Sequence, residues 1–271
     1  MLKILAKRKQ GHSEHHTQKH SSKDSDEHPD HHFPTDYIYS VDQWRNHIHH
    51  THEKEDPVMG HEEPLAKGSY TCDDVVEKWH DWLFKIPASV HPNLVLPSNS
   101  YKAESGGYPN PIFVGGNRVY MTAFVPLTQK EDNVITYQIY EDTDYILLPI
   151  MTAEACSQEY PSLKNPADLW KMVQNETGSV DKIIFTIDGV TRMGCYVERK
   201  TRLPINNVAN ENLMGIRPQN MKPNNTVEIV YSGFWALLDV KRLGSGDHLC
   251  TVEATGKTYF VGATIALNIL R

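Results

Sequence analysis

The run Lys182-Ile183-Ile184-Phe185-Thr186-Ile187 ends on Asp188-Gly189, and a second run from Met193 to Arg199 follows. Asp-Gly supplies the positive φ angles of a two-residue turn, so these flanking runs predict an antiparallel hairpin. The same grammar recurs along the chain. Pro111-Ile112-Phe113-Val114, the turn Gly115-Gly116-Asn117 and Val119 to Val125 predict another hairpin. Val134 to Tyr140 and Tyr145 to Ile150, flanking the acidic turn Glu141-Asp142-Thr143-Asp144, predict a further one. After an Asn/Pro-rich loop from Leu203 to Asn225, Val227 to Val240, Leu249 to Ala254 and Thr258 to Leu270 read as closing strands, with Gly262 expected to bulge or bend the last.

Only two segments carry helical spacing. Thr71 precedes the acidic residues Asp73 and Asp74, and Val75, Val76, Trp79, Trp82, Leu83 and Ile86 then recur on one helical face up to Pro87. A strand is the alternative, because the run is short and aromatic residues favour sheets. Asn165 followed by Pro166 predicts a second helix with Leu169, Trp170, Met172 and Val173 as its apolar face. Many short strands and few helices place the chain in the mainly β class. The expected fold is an antiparallel β-sandwich, jelly-roll or immunoglobulin-like, with one or two short helices and a disordered N-terminal tail.

The tail is set apart by composition. Residues 1–66 are rich in His, Lys, Asp, Glu, Ser and Pro and offer little apolar surface to offset the entropy of ordering, whereas 67–271 carry the strands. An aromatic island at 33–44, from Phe33 to Trp44, interrupts the tail and could dock on the domain or on a partner. The formal charge of −7 offers no basic field, which disfavours nucleic acid and anionic membranes as partners. The basic start Met1 to Lys9 meets polar residues before a signal-length apolar run forms, and no run is long enough to span a bilayer. No signal peptide and no membrane insertion are therefore expected, which places the chain in the cytoplasm or in a larger particle. Cys72, Cys156, Cys195 and Cys250 are scattered without a C-x-x-C pair and read as mostly buried thiols, a disulfide being the minority alternative.

Histidine is the one chemically distinctive residue. Twelve of the fifteen lie at or before His61, and the denser groups are His15, His16 and His20, then His28, His31 and His32, then His47, His49, His50 and His52. Neutral imidazoles on a flexible strand could chelate Zn²⁺, Ni²⁺ or Cu²⁺, although a solvated spacer of the same composition would also retain metal. No cofactor is required by this reading. The tail histidines would also gain charge near pH 6.5, making tail contacts pH-sensitive.

Within the domain His80, His91 and His248 lack the spacing of a metal site, and Ser245 stands in Gly-Ser-Gly rather than in a nucleophile elbow. Gly106-Gly107 and Gly115-Gly116 complete no phosphate loop, and the acidic turns lack the calcium-loop pattern. Trp79, Trp82, Trp170 and Trp235 sit in apolar patterns that predict burial rather than a ligand platform.

Trp79-x-x-Trp82, Ile86-Pro87-x-x-x-His91-Pro92, Ile184-x-x-Ile187-Asp188-Gly189, Gly233-Phe234-Trp235-x-Leu237-Leu238 and Leu243-x-Ser245-Gly246-Asp247-His248 together give a pattern that resembles an uncharacterised group of bacterial and archaeal β-rich proteins. The resemblance spans most of Asp73 to Leu270 on scattered positions. It implies a β-rich fold and no assignable activity, and location does not carry over because such proteins usually bear an export signal. The turn from Leu243 to His248 is also similar to the late hairpin of immunoglobulin-like sandwiches.

Three functional expectations follow. The first is a non-catalytic binding or structural assembly protein whose tail mediates attachment, oligomer or metal contacts, its partner being a protein or a second copy of itself. The second is a metal-binding or buffering protein acting through the tail. The third is a jelly-roll hydrolase or metalloenzyme using His248, His91 or Asp188, which depends on those residues meeting in space.

Overall fold

The computed structural model describes residues 39–46, 70–90, 110–122, 134–212, 214–256 and 260–271. Ten strands follow in chain order: β1 (Ile112–Val114), β2 (Asn117–Met121), β3 (Val134–Tyr140), β4 (Tyr145–Cys156), β5 (Val180–Ile187), β6 (Val190–Thr191), β7 (Cys195–Ile205), β8 (Val227–Asp239), β9 (Gly246–Gly256) and β10 (Phe260–Leu270). They form two five-stranded sheets, ordered β1-β2-β4-β8-β7 and β3-β10-β9-β5-β6. One core draws on both sheets, with Ile146, Leu148, Phe234 and Ala236 of the first meeting Phe185, Val252, Ile265 and Leu267 of the second. Alternation along β3, β5, β9 and β10 buries one face of the second sheet against the first.

The first sheet is covered on both faces. Helix α2 (Cys72–Lys85) lies across its other side, and Trp79, Leu83, Ile86, Leu147, Ile229 and Trp235 belong to one apolar cluster there. The Asp74 carboxylate accepts from the backbone N–H and hydroxyl of Thr71, so the helix starts at the expected cap, and all six residues of its expected apolar face are buried. Helix α3 (Pro166–Thr177) also begins as expected, the Asn165 side chain accepting from the Ala167 N–H. Leu169, Trp170 and Val173 cover the part of the first sheet formed by Ala153, Ala155 and Val230. A short α4 (Val240–Leu243) carries the chain from β8 to β9.

Part of the aromatic island docks on the domain. Helix α1 (Val41–Asn46) places Trp44, 0% exposed, edge-on against Phe234. Gly194 permits this approach, because a Cβ there would run into the Trp235 carbonyl and the Trp44 ring. The rest of the tail, including the ten candidate metal histidines, lies outside the described residues, as do His91 and residues 123–125 of the expected second strand.

The pairing differs from the expected hairpins. β1 and β2 do pair as expected. β3 and β4 do not, since β3 runs parallel to β10 and β4 runs parallel to β2, so two strand pairs depart from the expected antiparallel pattern. The turn between them passes from one sheet to the other, held where Asp144 N–H donates to the Arg118 carbonyl and Arg118 N–H returns to the Asp144 carboxylate. The Asp188-Gly189 turn forms with φ of 51° and 77°, but its hairpin closes only Thr186 with Thr191 and Ile187 with Val190. The chain then crosses to the first sheet, where Cys195 to Arg199 pair with β8 instead of β5. β10 pairs with β9 in continuous register through Gly262, so no bulge forms there. A bulge does lie between Pro149 and Met151 of β4. It switches side-chain parity, so that Met151, Ala153 and Ala155 face the side that Ile146 and Leu148 face before it.

Cys72 of α2 and Cys195 of β7 form a disulfide, while Cys156 and Cys250 are buried free thiols.

Candidate functional site

Two of the three residues named for catalysis meet. Asp188 sits in the tight turn after β5 and His248 near the start of β9, with His248 Nδ1 2.8 Å from the Asp188 carboxylate. The other carboxylate oxygen accepts from the Leu249 N–H at 2.8 Å. His248 Nε2 lies 3.2 Å from the Gly244 carbonyl. Both ring nitrogens therefore face acceptors. Burial pushes the Asp188 carboxyl up, but hydrogen bonds from His248 and Leu249 and the charges of His248 and Arg192 outweigh it and hold the group below the usual carboxylate range. The arrangement pins the turn to β9.

An open groove of about 350 Å³ lies near Gly244, lined by Glu141, Asp142, Val240, Lys241, Ser245 and Ile269. His248 does not line it. Burial raises the Cys156 thiol to about 11 and the Cys250 thiol to about 12, which removes thiolate character at neutral pH. Among the described residues no group of three or more His, Cys, Asp or Glu could hold a metal ion. No helix among them is long and apolar enough to cross a membrane.

His80 is a core residue. Its Nδ1 lies 2.9 Å from the Val76 carbonyl, one turn earlier, and so carries a proton toward it. Nε2 faces Glu154 Oε1 at 3.4 Å, and that oxygen accepts from the Thr152 hydroxyl. Tyr231 covers the imidazole, with ring centroids 4.1 Å apart, so the pair is sealed between α2 and the first sheet. Trp79, Trp82, Trp170 and Trp235 are buried as expected.

The surface that stands out is the outer face of the second sheet. Strand register places Thr191, Thr186, Thr251, Thr264 and Val134 in one row across all five strands. The next row toward the start of β9 holds Leu249, Ala266 and Thr136, and the row on the other side holds Ile184, Glu253 and Gly262. Tyr140 and Leu270 close one corner, 59% and 37% exposed, while Leu249 is 48% and Val134 37% exposed. Four of the seven large apolar side chains that are exposed among the described residues thus share this face. Its charges are Lys182 and Asp247 toward opposite ends and Glu253 between them. The middle of this face is built mainly from Thr, Leu, Val and Ala, with Glu253 as its charge, and toward one end Gln138, Asn268 and Asp247 form a polar row.

Sequence reasoning overlooked this face because each outward residue looks ordinary singly. The available signal was that the outward positions of alternating strands, normally charged, are here Thr186, Leu249, Thr251, Thr264 and Ala266. The chain matches no protein-family model, no curated protein and no solved structure.

Proposed function

We propose that the chain is a non-catalytic binding or assembly protein that makes protein contacts through the outer face of its second sheet, with the histidine-rich tail adding attachment. The observation carrying this reading is the clustering of Val134, Tyr140, Leu249 and Leu270 around an uncharged threonine row. The engaged state of both His248 nitrogens favours it over the hydrolase reading. The two-sheet core is of the sandwich kind, and a jelly-roll or immunoglobulin-like type remains part of the proposal, as does membership of the β-rich group that the spaced motifs resemble.

A photo-crosslinking amino acid placed at Leu249 in the source cells tests the reading. Adducts to polypeptide at Leu249 are expected. A folded protein that gives no adduct from the face overturns the proposal.

The tail composition supports a second role in divalent metal binding. Equilibrium dialysis with Zn²⁺ should then show several sites on the full chain that vanish when it is truncated before Pro64, and equal stoichiometry in both would end this reading.

A further inference from the structure

Beyond the outer face, we infer that the open edge of β3, with Phe113 of β1 beneath it, takes up an extended segment of another protein as a further strand of the second sheet. Main-chain geometry is the first observation. β3 is an edge strand, and among the described residues only β10 pairs with it. The Glu141 N–H donates to the Leu270 carbonyl at 2.7 Å, and Leu270 stands opposite Tyr140. Alternation then turns the main-chain groups of Ile135, Tyr137 and Ile139 toward β10 and those of Val134, Thr136, Gln138 and Tyr140 outward. The Tyr140 carbonyl accepts from the Thr143 N–H in the following turn. The other outward donors and acceptors form a row about 24 Å long that an added strand satisfies throughout.

The second observation is that this edge lacks the protection the other edges carry. β6 and β1 end their sheets with only 2 and 3 residues. β7 carries Glu198, Arg199, Lys200, Arg202 and Pro204 and breaks register between Arg199 and Leu203. Short length, charge, proline and bulges are the usual guards against strand addition. β3, Val-Ile-Thr-Tyr-Gln-Ile-Tyr, runs for 7 residues with no charge and no proline, and its register with β10 is unbroken.

The third is the space beside β3. Tyr120 of β2 packs edge-on against Tyr137 of β3, with ring centroids 6.1 Å apart, so β2 lies beneath β3 and β1 extends the first sheet one strand farther. Phe113 stands opposite Arg118, which shares a face of β2 with Tyr120, so its ring points to the side of the second sheet. Ile112 and Val114 face α2 instead. Phe113 is nevertheless 71% exposed, and no strand among the described residues lies over it. Packed sheets stand about 10 Å apart, so a strand added beside β3 would rest an inward side chain on this ring. Arg118 is ion-paired with Asp142 and β3 is uncharged, so the complementary segment is neutral and apolar at alternate positions. A second copy joined β3 to β3 would drive its own β2 into the space that β1 holds, which restricts the occupant to a single extended segment.

The test presents the full chain to a displayed library of random ten-residue peptides. Selected sequences should carry apolar residues at alternate positions. In synthetic copies, N-methylation of one alternate set of amides should weaken binding at least tenfold and methylation of the other set should not, since only one edge of the peptide meets β3. Thr136→Pro removes an outward N–H and leaves the β10 ladder intact, and Phe113→Ser removes the floor. Each should weaken binding at least tenfold with circular dichroism and melting unchanged. Failure to select any peptide, or binding indifferent to methylation and to both variants, overturns the inference. In the source cells, an aromatic photo-crosslinking residue in place of Phe113 should give polypeptide adducts that Thr136→Pro abolishes. Adducts at Leu249 with none at Phe113 would overturn the added strand and leave the contact face standing, and the reverse would remove the face and keep the strand.

Discussion

Asp188 shows how one residue can serve a turn and a tertiary contact at once. Its φ of 51° is a conformation that Asp and Asn tolerate better than most residues, and from there its carboxylate reaches the Leu249 N–H and His248. Because the folded carboxyl is held below its unfolded value, the stability it contributes is present above the ordinary carboxylate range and is lost as pH falls through the folded value. Asp188→Asn keeps the turn and removes the titration. The variant should be less stable than the native chain at pH 6, by up to about 1 kcal/mol because the side chain is half exposed and screened, and the two urea midpoints should converge as the pH falls below the ordinary carboxylate range. Parallel pH curves would show that the contact contributes nothing through charge. The turn itself was legible from Asp-Gly. Its pairing with His248, sixty residues onward, was not, since a contact between separate strands leaves no local pattern.

Among the elements, α2 and α3 were legible to their caps because caps and apolar spacing are local. Strand existence was legible for the same reason, and partner choice was not. The residues from Met193 onward alternate correctly for a strand, yet nothing within them says that β8 is a better neighbour than β5. The disulfide follows the same rule, because spacing does not determine connectivity. Cys72–Cys195 closes 123 residues of chain and ties α2 to β7. On chain-entropy grounds such a crosslink stabilises by roughly 4–5 kcal/mol. Cys72→Ser should therefore lower the urea midpoint substantially while Trp79 and Leu83 still hold the helix in place, and reductant should lower the native midpoint but not that of the variant. Identical native midpoints with and without reductant would exclude the bond in solution.

At the scale of the molecule, three layers share one central sheet. β4 and β8 are buried along nearly their whole length, since α2 covers one face of their sheet and the second sheet and α3 cover the other. β3 and β6 lie at the edges of the second sheet, which is packed on one side. Local opening should cost least where few apolar contacts break, so amide exchange should be slowest at Ile146–Leu148 and Phe234–Leu238 and fastest at β6 and β3. The two sheets nevertheless share a core, in which Phe185 and Val252 pack with Phe234 and Ala236. Peeling away the second sheet would bare that apolar surface on both sides, a loss too large for an independent opening. Protection in β9 and β8 should consequently merge into one denaturant dependence as urea is raised. If β9 instead opens with its own smaller slope, at least about 2 kcal/mol below β8, the sheets are separate cooperative units and the shared core does not couple them.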